Sequence, residues 1–465
     1  MRRLIFGILP AILLMPVAIL VSGCAIEPVQ YASTPDARCS AMSYRVAIDP
    51  PSDGLFEDAL TERILDAYRA EPLSPPAGLT ALAEAEPISP SMLFLSGGSQ
   101  NGAFGAGLLS AWARARPAGL PRFRVVTGIS TGSLQATFAF LDRSDEIVRR
   151  YAIGREGEVL RPFVATGVKG SGGWMGKLSA ARAVVRKGAV ASLEPLRAQL
   201  RDLITDDLLR TVAAEGRAGR LLLVAAVEMD SGDAMVFDLT RIAGAYVGDR
   251  AGGEPDEAMR DCYVEALLAS SSVPIAALPV FIDGRMYIDG GARFGVISDR
   301  LGEAFGTIAA DLPPGRPRNL FVIVNGTMET GRLCHLKDCP DADAEGAAPA
   351  VPAGPAHASW RFPDLAFRSV GILINQSYRS SVYWSTEEAR KRGFAPHFAR
   401  IEGDLGRHEA AVGLRPEPEA RRTCAEWKAI DRRLDAPLEF HPRFMRCLID
   451  YGRSRPEGPR WAALE

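Results

Sequence analysis

The chain has 465 residues, 47% of them hydrophobic, with 54 Lys and Arg against 56 Asp and Glu and a formal net charge of −2. That length and balance describe an ordinary globular protein with enough apolar material for a sizeable core. A near-neutral charge without a long lysine or arginine block excludes the electrostatic footprint of a nucleic-acid binder, so no nucleic-acid partner is expected.

Arg2 and Arg3 precede an apolar run from Leu4 to Val21, which ends in Val21-Ser22-Gly23-Cys24. A charged start, an apolar middle and small residues before a cut mark a secretory signal rather than a fold element. Pro10 and Pro16 interrupt the run, against an uncleaved spanning helix. The segment resembles a bacterial lipoprotein signal, which implies removal of residues 1–23 and acylation of Cys24. The mature chain would then be lipid-anchored in the bacterial cell envelope, and the non-acidic Ala25 favours the outer membrane over the inner. Export makes disulfides plausible among the six other cysteines. Cys334 with Cys339 and Cys424 with Cys447 are close in sequence, which leaves Cys39 and Cys262 as candidates to stay unpaired. Cys334, His335 and Cys339 lack the further ligand that a metal site needs, and no metal is expected.

From Ala25 to Pro90 the chain is rich in Pro, Ala and Ser, with one helix-like stretch from Asp53 to Arg69, and reads as a tether with a helical extension (24–90). Met92-Leu93-Phe94-Leu95 is a short apolar run closed by Ser96-Gly97-Gly98 and followed by a helical stretch to about Arg116. The pattern repeats, with Phe123 to Thr127 strand-like, Gly128 to Gly132 a turn, and Ser133 to Leu141 a buried helix. Further strands are expected at Leu221 to Val227 and Asn319 to Val324, with a helix from Asp256 to Ser270 between them. Strand and helix alternate, so the fold class is α/β, with a mostly parallel central sheet covered by helices on both faces. This core is expected over 91–330. The segment 331–358, made largely of Ala, Pro, Gly and Asp, reads as a flexible loop, and 359–465 as a helical part packing on the core. In that part, Phe367 to Arg392 has the period of an amphipathic helix with Val370, Leu373, Ile374, Ser377 and Tyr378 on its inner face. Between the core elements, Val164 to Val190 mixes Trp174 and Met175 with five basic residues, as either a membrane-contacting segment or a solvated cap.

Three pieces carry chemistry. Gly128-Ile129-Ser130-Thr131-Gly132 places a serine at a strand-to-helix turn, the elbow that exposes a nucleophilic hydroxyl. Ser96-Gly97-Gly98-Ser99-Gln100-Asn101-Gly102 is a glycine-rich turn at a helix start, where backbone amides attract an anion. It lacks the Lys-Ser or Lys-Thr of a P-loop and the third glycine of the dinucleotide fingerprint. Asp289-Gly290-Gly291 supplies a carboxylate on an open backbone. Each has an ordinary structural reading as a capped turn. Their joint position at strand ends supplies an oxyanion site (Gly97, Gly98, Ser99), a nucleophile (Ser130) and a base (Asp289) for acyl transfer.

In these motifs, over about Ser91 to Asn325, the chain resembles the patatin-like phospholipases, acyl hydrolases that use a Ser/Asp dyad. The resemblance implies a three-layer sandwich and an acyl-enzyme on Ser130, with Asp289 as its partner and no cofactor. Its substrates would be membrane lipids or lipid esters, attacked as by a phospholipase A, lysophospholipase or esterase. The family's Gly-Gly-Gly-x-Arg/Lys-Gly element maps onto Gly97 to Gly102, with Ser99 in place of the third glycine and Asn101 in place of the basic residue. Ala269-Ser270-Ser271-Ser272-Val273-Pro274 also looks like the family's run ahead of Asp-Gly-Gly. Two rivals stay open: a Ser-Asp-His α/β-hydrolase using His335, His357, His397, His408 or His441, and a weakly catalytic envelope lipoprotein that binds lipid.

Overall fold

A computed structural model describes residues 38–46, 59–70, 87–163, 188–248, 255–297, 305–308, 310, 318–326, 328 and 362–455, with main chain alone at 362–368 and 370. The signal segment with Cys24, the bulk of the Trp174 segment, the 331–358 loop, Cys334, His335, Cys339 and His357 lie outside the described residues.

In chain order, β1 (Ser43–Val46) and α1 (Ala59–Arg69) precede the first long strand, β2 (Ser89–Leu95). Then follow α2 (Gly102–Ala115), β3 (Phe123–Ile129), α3 (Thr131–Phe140) and α4 (Ser144–Tyr151). Next come α5 (Glu194–Leu203), α6 (Asp206–Arg217), β4 (Leu221–Glu228), β5 (Ala234–Asp238), α7 (Leu239–Val247) and α8 (Glu257–Ser271). The hairpin β6 (Val280–Ile282) and β7 (Arg285–Asp289) leads on to β8 (Asn319–Val324). Last are α9 (Phe362–Lys391), β9 (Ala395–Arg400), α10 (Cys424–Leu434) and α11 (Pro442–Arg453).

Nine strands form one sheet in the order β1-β5-β4-β3-β2-β8-β9, with β7 also on β4 and β6 on β7. The five strands from β9 to β4 are parallel, as the alternation of strand and helix requires. Beyond β4 the sheet turns antiparallel, because only five residues separate β4 from β5 and two separate β6 from β7. The strands read as unbroken apolar runs because both faces are covered: Leu93, Leu95, Val126, Leu222 and Val224 join one core, and Met92, Phe94, Val125, Leu221 and Leu223 the other.

The register at β4 is what builds the site. Ile129, the last residue of β3, pairs with Ala225, and Asp289, the last of β7, pairs with Ala226. Since β3 is parallel and β7 antiparallel to β4, the two strands meet head-on along one edge of β4. Their carboxyl ends fall on adjacent residues of that strand.

Three expectations need correction. Cys39 and Cys262 are not unpaired: they form a disulfide that ties the segment before β1 to α8. Cys424 and Cys447, by contrast, are bonded as their spacing suggests and join α10 to α11. The C-terminal part is not only helical, since β9 extends the central sheet beside β8. In α9, Leu373 is not on the inner face but 70% exposed, and among the side chains described in this helix the buried positions are Ser381, Val382, Ser385, Thr386 and Ala389. The helix packs on β8, β9 and the turn after Asp289, a surface that reaches only part of its length.

The C-terminal helix is bound to the core by backbone contact. A Cβ on Gly107 of α2 would lie 2.1 Å from the Ile449 carbonyl oxygen, and one on Gly452 of α11 would lie 2.3 Å from that of Phe104. Gly452→Ala is therefore expected to force the helices apart and destabilise the fold by about 1–3 kcal/mol, read as a lower urea midpoint at unchanged slope.

Candidate active site

Ser130 sits where β3 gives way to α3, with φ 53° and ψ −125°, a conformation that a non-glycine residue holds only when its surroundings impose it. The constraint is visible. The Ser130 amide donates to Ser270 Oγ at 3.0 Å, and Ser270 Oγ donates onward to the Ala225 carbonyl at 2.7 Å. The Ser130 carbonyl accepts from the Ser133 amide at 2.9 Å and from Ser133 Oγ at 2.6 Å. Small residues let the turn close: a Cβ on Gly128 would meet the Gly132 carbonyl oxygen at 2.4 Å, and one on Gly132 the Leu95 carbonyl oxygen at 2.3 Å.

Asp289 ends β7 with its amide donating to the Ser272 carbonyl at 2.9 Å. Its Oδ1 accepts from the Gly291 amide at 2.6 Å, whereas Oδ2 is buried with no partner in hydrogen-bond geometry. Burial pushes the carboxyl up to about 7, opposed by the Ser130 hydroxyl and the Gly291 amide. The Ser130 hydroxyl is thus close enough to act on the carboxyl without a closed hydrogen bond, a looseness common before substrate binds. Gly290 lies against the Ala225 carbonyl and Ile129, where a Cβ would clash at 2.6 Å.

The glycine turn runs beside them. Gly97 faces Ser130, whose Cβ is 3.2 Å from where a Gly97 Cβ would stand. Gly98 (φ 153°) and Ser99 (φ 52°) swing the chain into a short helical turn ahead of α2, and Gly98 presses on the Asn325 carbonyl. The Gly97 and Gly98 amides donate to no described residue, which leaves them free for an anion. Gly102 begins α2 against the Thr131 hydroxyl, and Asn101 carries no positive charge.

From Ser99 and Ser130 an apolar cavity opens, with about 850 Å³ of empty space including the part open to solvent. Leu134, Phe138, Val159, Leu196, Leu200 and Met445 are among its walls, and Arg150 is the single charged residue on them among the described residues. The geometry can thus hold a long apolar group beside the serine.

The structure brings together Ser130, Asp289 and the glycine turn. Of the histidines it describes, His397 bonds Asn319 and stacks on Phe321, His408 bonds Asp450, and His441 bonds Gln100 of the glycine turn; no histidine bonds Ser130 or Asp289 among the described residues. The roles of two contributors are not read from the sequence. Ser270 and Ser272 tie the nucleophile and the carboxylate to one helix end, and three consecutive serines before a strand were the available sign. Tyr378 of α9 puts its hydroxyl between Gly97 and Gly291, where a Cβ would meet it at 1.8 and 2.6 Å. Nothing local in α9 marks that role.

Residues 93–298 match the family described as patatin-like phospholipase. The chain carries a patatin-like domain. The match ends before β8, α9 and α11, so this patatin-like domain is completed here by elements from outside it. Among solved structures, VipD from Legionella pneumophila aligns at 12% identity over 53% of this chain and 52% of its own, with a TM-score of 0.25, and so spans about half of each protein. No curated protein matches the chain.

A carboxyl raised to about 7 is protonated below that pH and unable to accept the serine's proton. The expected kcat/KM for an ester therefore rises with pH to a plateau through about 7. Because the folded-state pKa lies above the unfolded value, ionisation of Asp289 costs stability as pH rises. Asp289→Asn should abolish turnover yet raise the melting temperature, by an amount that grows between about pH 4 and 7 and then levels.

Proposed function

We propose that the chain is a lipoprotein serine acyl hydrolase that cleaves carboxylic esters of lipids through Ser130 and Asp289. One observation carries the reading: a strained, buried serine and a buried, half-satisfied aspartate sit on adjacent positions of one strand edge, beside free glycine-turn amides and the mouth of an apolar cavity. Ser130 Oγ attacks the ester carbonyl while Asp289 takes its proton. The amides of Gly97, Gly98 and Ser99 hold the oxyanion, and the protonated Asp289 returns the proton to the departing alcohol. Water, deprotonated by Asp289, then attacks the acyl-enzyme, and Asp289 passes that proton to Ser130 Oγ as the acid leaves. The acyl chain lies in the cavity lined by Leu134, Phe138 and Leu196.

Anchoring through Cys24 fits this reading. Disulfides at Cys39–Cys262 and Cys424–Cys447 belong to an oxidising compartment. Cys39 follows Cys24 by fifteen residues, so the core stays within about 50 Å of the anchored residue whatever path the chain takes. Among the described residues no helix is long and apolar enough to cross a membrane. The lipid anchor would hold the enzyme in the bacterial envelope, at the outer membrane, next to its substrate.

The test is hydrolysis of a panel of phospholipids, lysophospholipids and simple esters by wild type and Ser130→Ala. Turnover of long-chain esters that Ser130→Ala loses supports the reading, and equal rates for the two proteins refute it. Leu196→Trp, which fills the cavity, is expected to shift preference toward short acyl chains by about tenfold or more, measured as the ratio of kcat/KM for long and short esters.

A further inference from the structure

The geometry points to Tyr378 as a third catalytic residue, whose hydroxyl donates to the oxyanion formed when Ser130 attacks. This rests on the acyl-hydrolase reading and adds a group to it from a helix outside the matched residues.

Three glycines make room for this one side chain. A Cβ on Gly97 would stand 1.8 Å from the Tyr378 hydroxyl, one on Gly291 would stand 2.6 Å from it, and one on Gly295 would touch the Tyr378 Cα at 2.7 Å and Cγ at 2.8 Å. Two of the three belong to the motifs that carry the chemistry. The hydroxyl and the Ser130 Cβ lie 1.8 and 3.2 Å from a single point above Gly97, hence no more than 5.0 Å apart. By the same construction at Gly291, the hydroxyl and Asp289 Oδ1 lie 2.6 and 2.9 Å from one point, hence no more than 5.5 Å apart. The phenol thus reaches the space between the nucleophile, the base and the free amides, where the reacting carbonyl must lie.

The helix is fixed in that position by its neighbours. Ser377 Oγ donates to the Arg293 carbonyl, and Ser381 Oγ accepts from the Gly295 and Val296 amides at 2.8 and 3.3 Å. The turn that follows Asp289 is therefore stitched to the turn of α9 that bears Tyr378. The Tyr378 hydroxyl donates to no described residue, so its donor is available. Burial, and then the Asp289 charge, hold its pKa well above the ordinary tyrosine value, which keeps it a neutral donor throughout the working pH range. A positioned neutral donor in a largely apolar site is the kind that stabilises developing charge most.

The experiment compares full-length wild type, Ser130→Ala and Tyr378→Phe on a long-chain ester and on its thionoester, in which a weakly accepting sulfur replaces the carbonyl oxygen. Tyr378→Phe is expected to lower kcat by about 100-fold with KM nearly unchanged. The ester-to-thionoester ratio of kcat should shrink as well, because a donor that distinguished the two atoms is gone. That ratio is independent of the amount of folded enzyme, so a loss of stability in the variant does not mimic it. An active wild type with an unchanged kcat in Tyr378→Phe, or an unchanged ratio, overturns the role of Tyr378 and leaves the hydrolase standing. A wild type no faster than Ser130→Ala overturns both.

Discussion

The site depends on one constraint: β3 and β7 end against each other on the same edge of β4. Each strand delivers its chemistry at its carboxyl terminus, and hydrogen bonding to Ala225 and Ala226 sets the spacing between them before any side chain is considered. A slip of one residue in either pairing would send Ser130 or Asp289 to the opposite face of the sheet. The long apolar run of β4, buried at all eight positions, secures that register from both faces. Ser270 and Ser272, at the end of α8, then lock each strand end to the same helix terminus.

The arrangement is costly in itself. A serine at positive φ, a buried carboxylate with one oxygen unpaired and two unused amides all oppose folding, and they persist because the surrounding structure over-determines them. The two cores that flank the sheet supply the opposing burial. The same features suit catalysis, since groups left unsatisfied in the resting fold have their capacity free for the transition state.

Much of this was legible in the sequence, and the reason is local. Met92 to Leu95, Phe123 to Thr127, Leu221 to Val227 and Asn319 to Val324 are central strands buried on both faces, so their character shows in their own residues. Gly97, Gly98, Gly128 and Gly132 marked turns that only small residues can make. Legibility failed where the information is held at a distance. β1 and β9 owe their place to partners elsewhere in the chain, and short edge strands such as Ala395–Arg400 carry no apolar run. Periodicity alone puts Leu373 inside, because a helix's pattern cannot reveal how far along it the supporting surface extends. Periodicity turns Tyr378 inward, yet its proximity to Ser130 depends on three glycines from other segments. The pairing of Cys39 with Cys262 spans 223 residues and leaves no trace in spacing.

That disulfide has a mechanical meaning. It closes a covalent ring that contains β2, β3 and β4, with Ser130 inside it and Asp289 beyond it on the chain. A single backbone cut anywhere between Cys39 and Cys262 opens the ring without dividing the molecule. Whatever holds the chain upstream of Cys39 keeps hold of both Ser130 and Asp289.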